Sequence, residues 1–277
     1  MTRTATIGTT SYAFRYLLMD ERSAPPLVSL IERTSEAGLD ALQICENARP
    51  LNATAGEWRG VIRAAEDAGV GLHAGCMTLD LDTLARYVEL AAAIPGADTL
   101  RIVLEDGHGI APGREAIVRF LDGAMPRLES LRMKLAIENH FHIPCCTLAE
   151  VARNYPIERV GFCIDTANSL RNWEAVEQVF DAFDSRVVFY HVKDFRVEGT
   201  NVGFSVRGAP LGEGDLDLRG CLERIYAKHN CPLILLENWV PQSGDRDRDA
   251  AADAQWLSQS LENLRRALAA LWVDRSP

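Results

Sequence analysis

Residues 133–140 read MKLAIENH. A mostly apolar run of strand character goes straight into a carboxylate, an amide and an imidazole: Glu138, Asn139 and His140. Polar groups are costly to bury without partners, so three at the end of one strand need a reason. The pattern recurs downstream. GFCIDTAN (161–168) reaches Asp165, VVFYHVKD (187–194) reaches His191 and then Lys193, and LILLENW (233–239) reaches Glu237. Side chains alternate along a strand. On that period Ala136 and Glu138 share a face, as do Cys163 and Asp165, Phe189 and His191, and Leu235 and Glu237. Four successive strands each deliver one oxygen or nitrogen ligand after an apolar run.

Eight segments carry strand character: 5–10, 39–45, 70–75, 98–105, 134–139, 160–165, 187–192 and 233–238. Helical periodicity fills the intervals. Leu27, Leu30, Ile31 and Thr34 share one face, as do Leu84, Tyr87, Val88 and Ala91, and Leu257, Leu261, Leu264, Leu268 and Leu271 form the last stripe. Pro25 and Pro26 suit the first turn of the helix they precede. EAGLDALQI (36–44), EDAGVGL (66–72) and AAIPGADTLRIV (92–103) each run from a helix tail through a glycine into a strand. Alternation of this kind demands parallel strands joined by crossovers. Eight units in 277 residues predict an α/β fold, a single-domain (β/α)8 barrel over residues 1–277. An open doubly wound sheet fits less well, because no GxGxxG or Walker loop follows any strand. Active sites of such barrels lie at the carboxyl ends of the strands. The polar strand ends are then the walls of a site.

Composition narrows the function. The hydrophobic share of 47% and charged share of 25% are those of a soluble globular protein. No apolar run reaches the roughly 20 residues of a membrane span, and MTRTATIGTTSYAF lacks the apolar core of a signal peptide. The net charge of −10 argues against a nucleic-acid partner, since phosphate binding wants a basic footprint. Seven scattered cysteines without CxxC spacing read as small core residues in a reducing cytoplasm.

A lone carboxylate after a strand is often a helix N-cap, and Asp165 before TANS suits that role too. A lone buried histidine is more often a hydrogen-bonded core residue than a ligand. Four such residues on neighbouring strands are a different matter, because clustered carboxylates repel one another unless a cation sits among them. The set Glu138, Asp165, His191 and Glu237 offers three anionic oxygens, one imidazole and no thiolate. That set suits one hard divalent cation of octahedral preference, Mn2+ or Mg2+ before Co2+ or Zn2+. Two of the six positions remain for substrate oxygens.

IENH, GFCIDTAN, YHVKD, PLGEGDLDL and LILLEN, in this order, resemble the xylose isomerase-like TIM-barrel superfamily of sugar and sugar-phosphate isomerases and epimerases. The resemblance covers essentially the whole chain. It implies that Glu138, Asp165, His191 and Glu237 hold the metal, and that Glu138 and Glu237 also move protons on the two faces of a ketose. The expected activity is metal-dependent isomerisation or epimerisation of a sugar through an enediolate. A metal-dependent lyase on the same scaffold, decarboxylating a 3-oxo sugar acid, is the alternative; a non-catalytic sugar-binding barrel and an AP endonuclease fit less well. Many members carry a histidine three residues after the strand-six aspartate, where this chain has Asn168. An amide cannot shuttle a proton at neutral pH. The related endonucleases need further histidines for three zinc ions, and this chain has six histidines in all.

Substrate contacts are expected from Tyr12 after strand one, Glu46 after strand two, His73 at the end of strand three, His140, Asn168 and Lys193, with Arg207 in the glycine-rich RGAPLGEGDLDL taking an acidic group. In that loop Gly212 and Gly214 suit the turn into the next helix, with Asp215 or Asp217 as its N-cap. GDRDRDAAAD (244–253) reads as a solvated loop and helix start. A dimer or tetramer is common among look-alikes, so a homo-oligomer is within expectation.

Overall fold

The computed structural model describes residues 5–21, 24–105 and 110–273; the start of the N-terminal stretch lies outside them. The strands are β1 Thr6–Thr10, β2 Ala41–Ile44, β3 Gly71–Met77, β4 Thr99–Val103, β5 Lys134–Glu138, β6 Val160–Asp165, β7 Val187–Val192, β8 Asp194–Thr200, β9 Gly203–Ala209 and β10 Leu233–Leu236. The helices are α1 Arg15–Leu18, α2 Leu27–Glu36, α3 Ala55–Ala68, α4 Leu81–Ala92, α5 Arg114–Leu131, α6 Cys145–Ala152, α7 Val176–Phe183, α8 Leu218–Lys228 and α9 Arg246–Val273. Strands β1–β7 and β10 close a parallel barrel in chain order, with β10 pairing β1 and β7. The (β/α)8 architecture is the one the alternation predicts.

Two separate cores follow from strand parity. The larger lies between the strands and the helices, where Leu30, Ile31, Leu84, Val88, Leu264 and the outward-facing strand residues pack together. The smaller fills the barrel: Ala41, Ala136, Cys163, Phe189 and Leu235. Its last four members are the residues two positions before Glu138, Asp165, His191 and Glu237, which therefore stand one layer higher on the same inner face. The register sets Asp165 level with His191 and Glu138 level with Cys163, one inward-facing position below Asp165. Gly38, Gly69 and Gly96 all adopt positive φ, as a glycine that stops a helix should. Pro26 occupies the N-cap of α2 and Pro25 precedes it, one turn earlier than expected, because the helix begins only at Leu27.

Two readings need correction. The glycine-rich segment is not all loop: β8 and β9 form an antiparallel hairpin that leaves the barrel after β7. Its outward residues alternate weakly and are largely exposed, which hid the strand period. Gly208 packs so closely on Trp239 that a Cβ there would strike its backbone carbonyl. The acidic run before and within α9 is not simply solvated either, since Asp249 and Asp253 are buried. Asp249 accepts from the Ser243 N–H and hydroxyl, and Asp253 from the Tyr16 N–H. Burial pushes the Asp253 carboxyl up to about 7.

Asp194 ties the base of the hairpin to the segment that leads into α8. Its carboxylate accepts from the backbone N–H groups of Phe195 at 2.7 Å, Gly212 at 2.9 Å, and Gly214 and Leu216 at 3.0 Å each. Asp217, not Asp215, caps α8; Asp215 accepts from the Val197 N–H instead. Removing the Asp194 carboxylate leaves four buried or half-buried donors without a partner. Asp194→Ala is expected to cost about 2–4 kcal/mol in unfolding free energy. Urea denaturation checks this, and an unchanged midpoint would contradict the structural role.

Candidate metal centre

The inner layer brings Glu138, Asp165, His191 and Glu237 together at the carboxyl ends of β5, β6, β7 and β10, all buried. His191 Nδ1 lies 3.2 Å from Glu138 Oε2 and 3.3 Å from Glu237 Oε2. Ligand atoms of Asp165, His191 and Glu237 fall within 4.8 Å of one another, as do those of Glu138, Cys163 and His191. On the far side of the ring, His191 Nε2 sits 3.0 Å from Gln43 Oε1. The Cys45 thiol also reaches that oxygen, which fixes the amide as the acceptor. The Nε2–H therefore donates to Gln43, and Nδ1 faces the Glu138 and Glu237 carboxylates. A second partner that orients a ligating histidine is a general feature of metal sites.

Two buried atoms point into the cluster: Asp165 Oδ2, with the Lys193 ammonium at 2.9 Å, and His191 Nδ1, between the two glutamates. The other Asp165 oxygen has a structural duty, accepting from the N–H groups of Ala167 at 2.9 Å and Asn168 at 2.8 Å. Asp165 thus forms the turn with one oxygen and faces the cluster with the other. Carboxylate oxygens and an imidazole nitrogen that converge within 4.8 Å fit a divalent cation. The hard oxygen-rich donor set is right for it.

Two side-chain cations stand among these carboxylates. Lys193 is fully buried, its Nζ 2.9 Å from both Asp165 Oδ2 and Glu237 Oε1 and 4.6 Å from the centre of the Trp239 ring. Arg101, inward-facing on β4, places Nε 2.5 Å from Glu138 Oε2. Burial disfavours the charged forms throughout the centre. It leaves the Asp165 carboxyl above the usual range even beside Lys193. For Glu138 the Arg101 guanidinium and the His191 ring overcome burial and hold the carboxyl well below that range. For Glu237 the Lys193 ammonium and His191 do the same. Lys193 in turn is held charged against burial by Asp165 and Glu237.

The other expected contacts divide. Lys193 and Asn168 belong to the centre. Asn168 Nδ2 donates to Glu138 Oε1 at 2.8 Å and to the Asn139 carbonyl at 3.1 Å, so the amide pins the carboxylate. Tyr12 donates to Glu46 Oε1 at 2.6 Å, and Glu46 Oε2 lies 3.4 Å from Arg101 Nη1. These two therefore reach Glu138 through Arg101. His140 turns aside to Glu105, whose Oε1 lies 2.7 Å from His140 Nδ1 and 3.0 Å from His142 Nδ1. His73 does not end its strand, since β3 runs on to Met77. Arg207 pairs with Glu198 across the hairpin and lines a separate hollow with Arg196 and Trp256.

Three contributors were not assigned to the site in the sequence: Gln43, Arg101 as the clamp on Glu138, and Trp239. Gln43 and Arg101 carried a signal, being polar residues inside the apolar strands ALQI and TLRIV. Trp239 follows β10 and carried none. A cavity of about 850 Å³ opens beside Asn168 and Trp239.

Residues 31–260 match the model of the xylose isomerase-like TIM barrel family. The chain belongs to that family. It is 27% identical over 262 residues to the 3-oxo-isoapionate decarboxylase of Pectobacterium atrosepticum, covering 93% of this chain and 94% of the relative. Among solved structures, an L-ribulose 3-epimerase superposes with a TM-score of 0.73 at 14% identity, covering 98% of this chain and 97% of its own. A xylose isomerase-like TIM barrel protein from Mycobacterium smegmatis in complex with magnesium superposes with a TM-score of 0.67 at 14% identity, covering 94% and 99%. Among the described residues no helix is long and apolar enough to cross a membrane.

Lys193 competes for the oxygens that would take the ion. Lys193→Met should therefore tighten Mn2+ binding by at least about tenfold, since a charge a few ångströms from a divalent ion is worth more than 1.4 kcal/mol. His191→Ala should weaken binding by at least about tenfold. Isothermal titration of metal-stripped protein reads both. Equal affinities for all three proteins would remove the ion from this place.

Proposed function

We propose that this enzyme of the xylose isomerase-like family is a metal-dependent carbon–carbon lyase that decarboxylates a small sugar acid bearing an oxo group β to its carboxylate. The observation that carries the reading is the clamp on Glu138. Arg101 Nε and Asn168 Nδ2 each hold one of its oxygens in a short hydrogen bond, so neither oxygen is free to approach a substrate carbon. A carboxylate so held is a weak proton acceptor. Epimerisation needs a proton taken from one face and another given to the opposite face. Decarboxylation needs only one proton returned to carbon. The full-length relative named as a decarboxylase supports the same choice.

Glu138, Asp165, His191 and Glu237 would hold one divalent cation, Mn2+ or Mg2+ by their chemistry. The ion supplies Lewis acidity to the substrate carbonyl. The remaining work falls to side chains. The Lys193 ammonium, buried against Trp239, offers an anionic substrate group its partner. The bond to the carboxylate breaks, its electron pair moves onto the ketone as an enolate, and CO2 departs. Glu237, whose Oε2 is engaged only by a long contact from the Thr10 hydroxyl and by the His191 ring, is the group placed to pass a proton taken up from solvent to the carbon that CO2 leaves. The loops from β5 to β10 keep the site buried, which protects the carbanionic carbon from bulk water. The single cysteines of the core suit a reducing cytoplasm.

A second reading, epimerisation of a ketose, rests on the two glutamates flanking His191 Nδ1 at nearly equal distance from β5 and β10. The mutants separate the two. With Mn2+ in excess and a 3-oxo sugar acid as substrate, CO2 release should fall about 10²-fold or more in Glu237→Gln and less than about tenfold in Glu138→Gln. An epimerase would instead lose about 10²-fold in both, with no CO2 formed and solvent deuterium entering the ketose. Loss in both variants together with deuterium exchange would replace the lyase reading by the epimerase one.

A further inference from the structure

The cavity beside the centre is built for something other than a sugar ring. Its volume of about 850 Å³ lies in the range of about 300–1,000 Å³ that takes drug-sized ligands, far more than a bare sugar acid fills. Its walls are Phe141, Trp173, Val197, Phe204, Val206 and Trp239. They come from four places: the segment after β5, the turn after β6, the hairpin that leaves the barrel after β7, and the segment after β10 that contains Trp239. Trp173 and Phe204 meet edge to face across the opening, 5.7 Å between ring centres. Both face water, Trp173 being 80% and Phe204 54% exposed. Trp173 also takes a left-handed backbone conformation, φ 60°, uncommon for a bulky residue. Exposed aromatic rings in one patch mark a binding surface.

The position of the cavity names the occupant. Asn168, which pins Glu138, and Trp239, on which Lys193 rests, form part of its lining. A molecule held there is continuous with one held at the carboxylate centre. Of the lining's ionisable groups, Glu174 is engaged with the Cys145 N–H, His142 with Glu105, and Arg171 is exposed to water, so the apolar walls set the character of the cavity. We infer that the substrate carries a flat, uncharged apolar substituent, such as an aryl group linked to the sugar, and that the Trp173–Phe204–Trp239 cavity receives it. The inference rests on the preceding reading in one respect: it takes the sugar portion to lie at the carboxylate centre.

Tryptophan emission excited at 295 nm and calorimetry test it with phenyl β-D-glucopyranoside against methyl β-D-glucopyranoside, on metal-loaded protein. The phenyl compound is expected to bind at least about tenfold more tightly and to perturb the emission. Trp173→Ala and Phe204→Ser, both at exposed positions and checked for folding by thermal melts, should each bring the phenyl compound close to the methyl one. His191→Ala should keep the preference, because the cavity does not depend on the ion. Equal affinities in the wild type, or a preference untouched by both cavity variants, overturn the inference and leave the lyase assay as it stands. A cavity closed by a second copy of the chain would also overturn it, and would show in sedimentation as a dimer that both variants dissociate. A phenyl preference without CO2 release or metal binding would retain the cavity and discard the lyase.

Discussion

Buried negative charge sets the terms for the rest of this molecule. Glu138, Asp165 and Glu237 stand together at the barrel mouth with almost no access to water. Each would be strongly disfavoured as an anion there if left alone. Lys193 and Arg101 carry two positive charges into the same cluster, one between Asp165 and Glu237 and the other against Glu138. Much else supports that arrangement. Gln43 turns the His191 ring, Asn168 fixes Glu138, Glu46 and Tyr12 hold Arg101 from behind, and Trp239 lies under Lys193. The same donor set, three carboxylates and an imidazole, is the kind that holds a hard divalent cation.

Much of this was legible in the amino-acid sequence because barrel strands obey a strict period of two. Once MKLAIENH is placed as a strand, Ala136 and Glu138 must share a face, and the same arithmetic applies to three more strands. The inner core of Ala136, Cys163, Phe189 and Leu235 is that arithmetic in three dimensions. Partnerships across the barrel were not legible. Nothing local says that Gln43 on β2 meets His191 on β7, or that Asn168 turns back to Glu138 rather than outward to a ligand. The hairpin escaped for a physical reason as well. Its strands touch little of the core, so Val197, Phe204 and Val206 are exposed and the inside–outside alternation is blurred. His73 shows the boundary problem in another form: β3 extends past the point where its apolar pattern weakens.

The hairpin and the carboxylate centre divide the work. The barrel holds the chemistry in its strands, with Asp194 fastening the base of the hairpin to the segment that leads into α8. The hairpin and the turns after β5 and β6 build an aromatic cavity next to it. Function on this fold resides in such grafted sites rather than in the barrel itself. Family membership fixes the scaffold; the clamp on Glu138 and the cavity are the features of this chain on which the proposed chemistry rests.

The central claim is that Lys193 and a divalent ion compete for the same oxygens. Crystals grown with Mn2+ and measured at the manganese absorption edge test it directly. The account predicts one strong anomalous peak about 2 Å from an oxygen or nitrogen of each of Glu138, Asp165, His191 and Glu237. It also predicts that Lys193 Nζ has left its position between Asp165 and Glu237. A map with no peak there and Lys193 still bridging the two carboxylates, or a peak at Glu105, His140 and His142 instead, would contradict it.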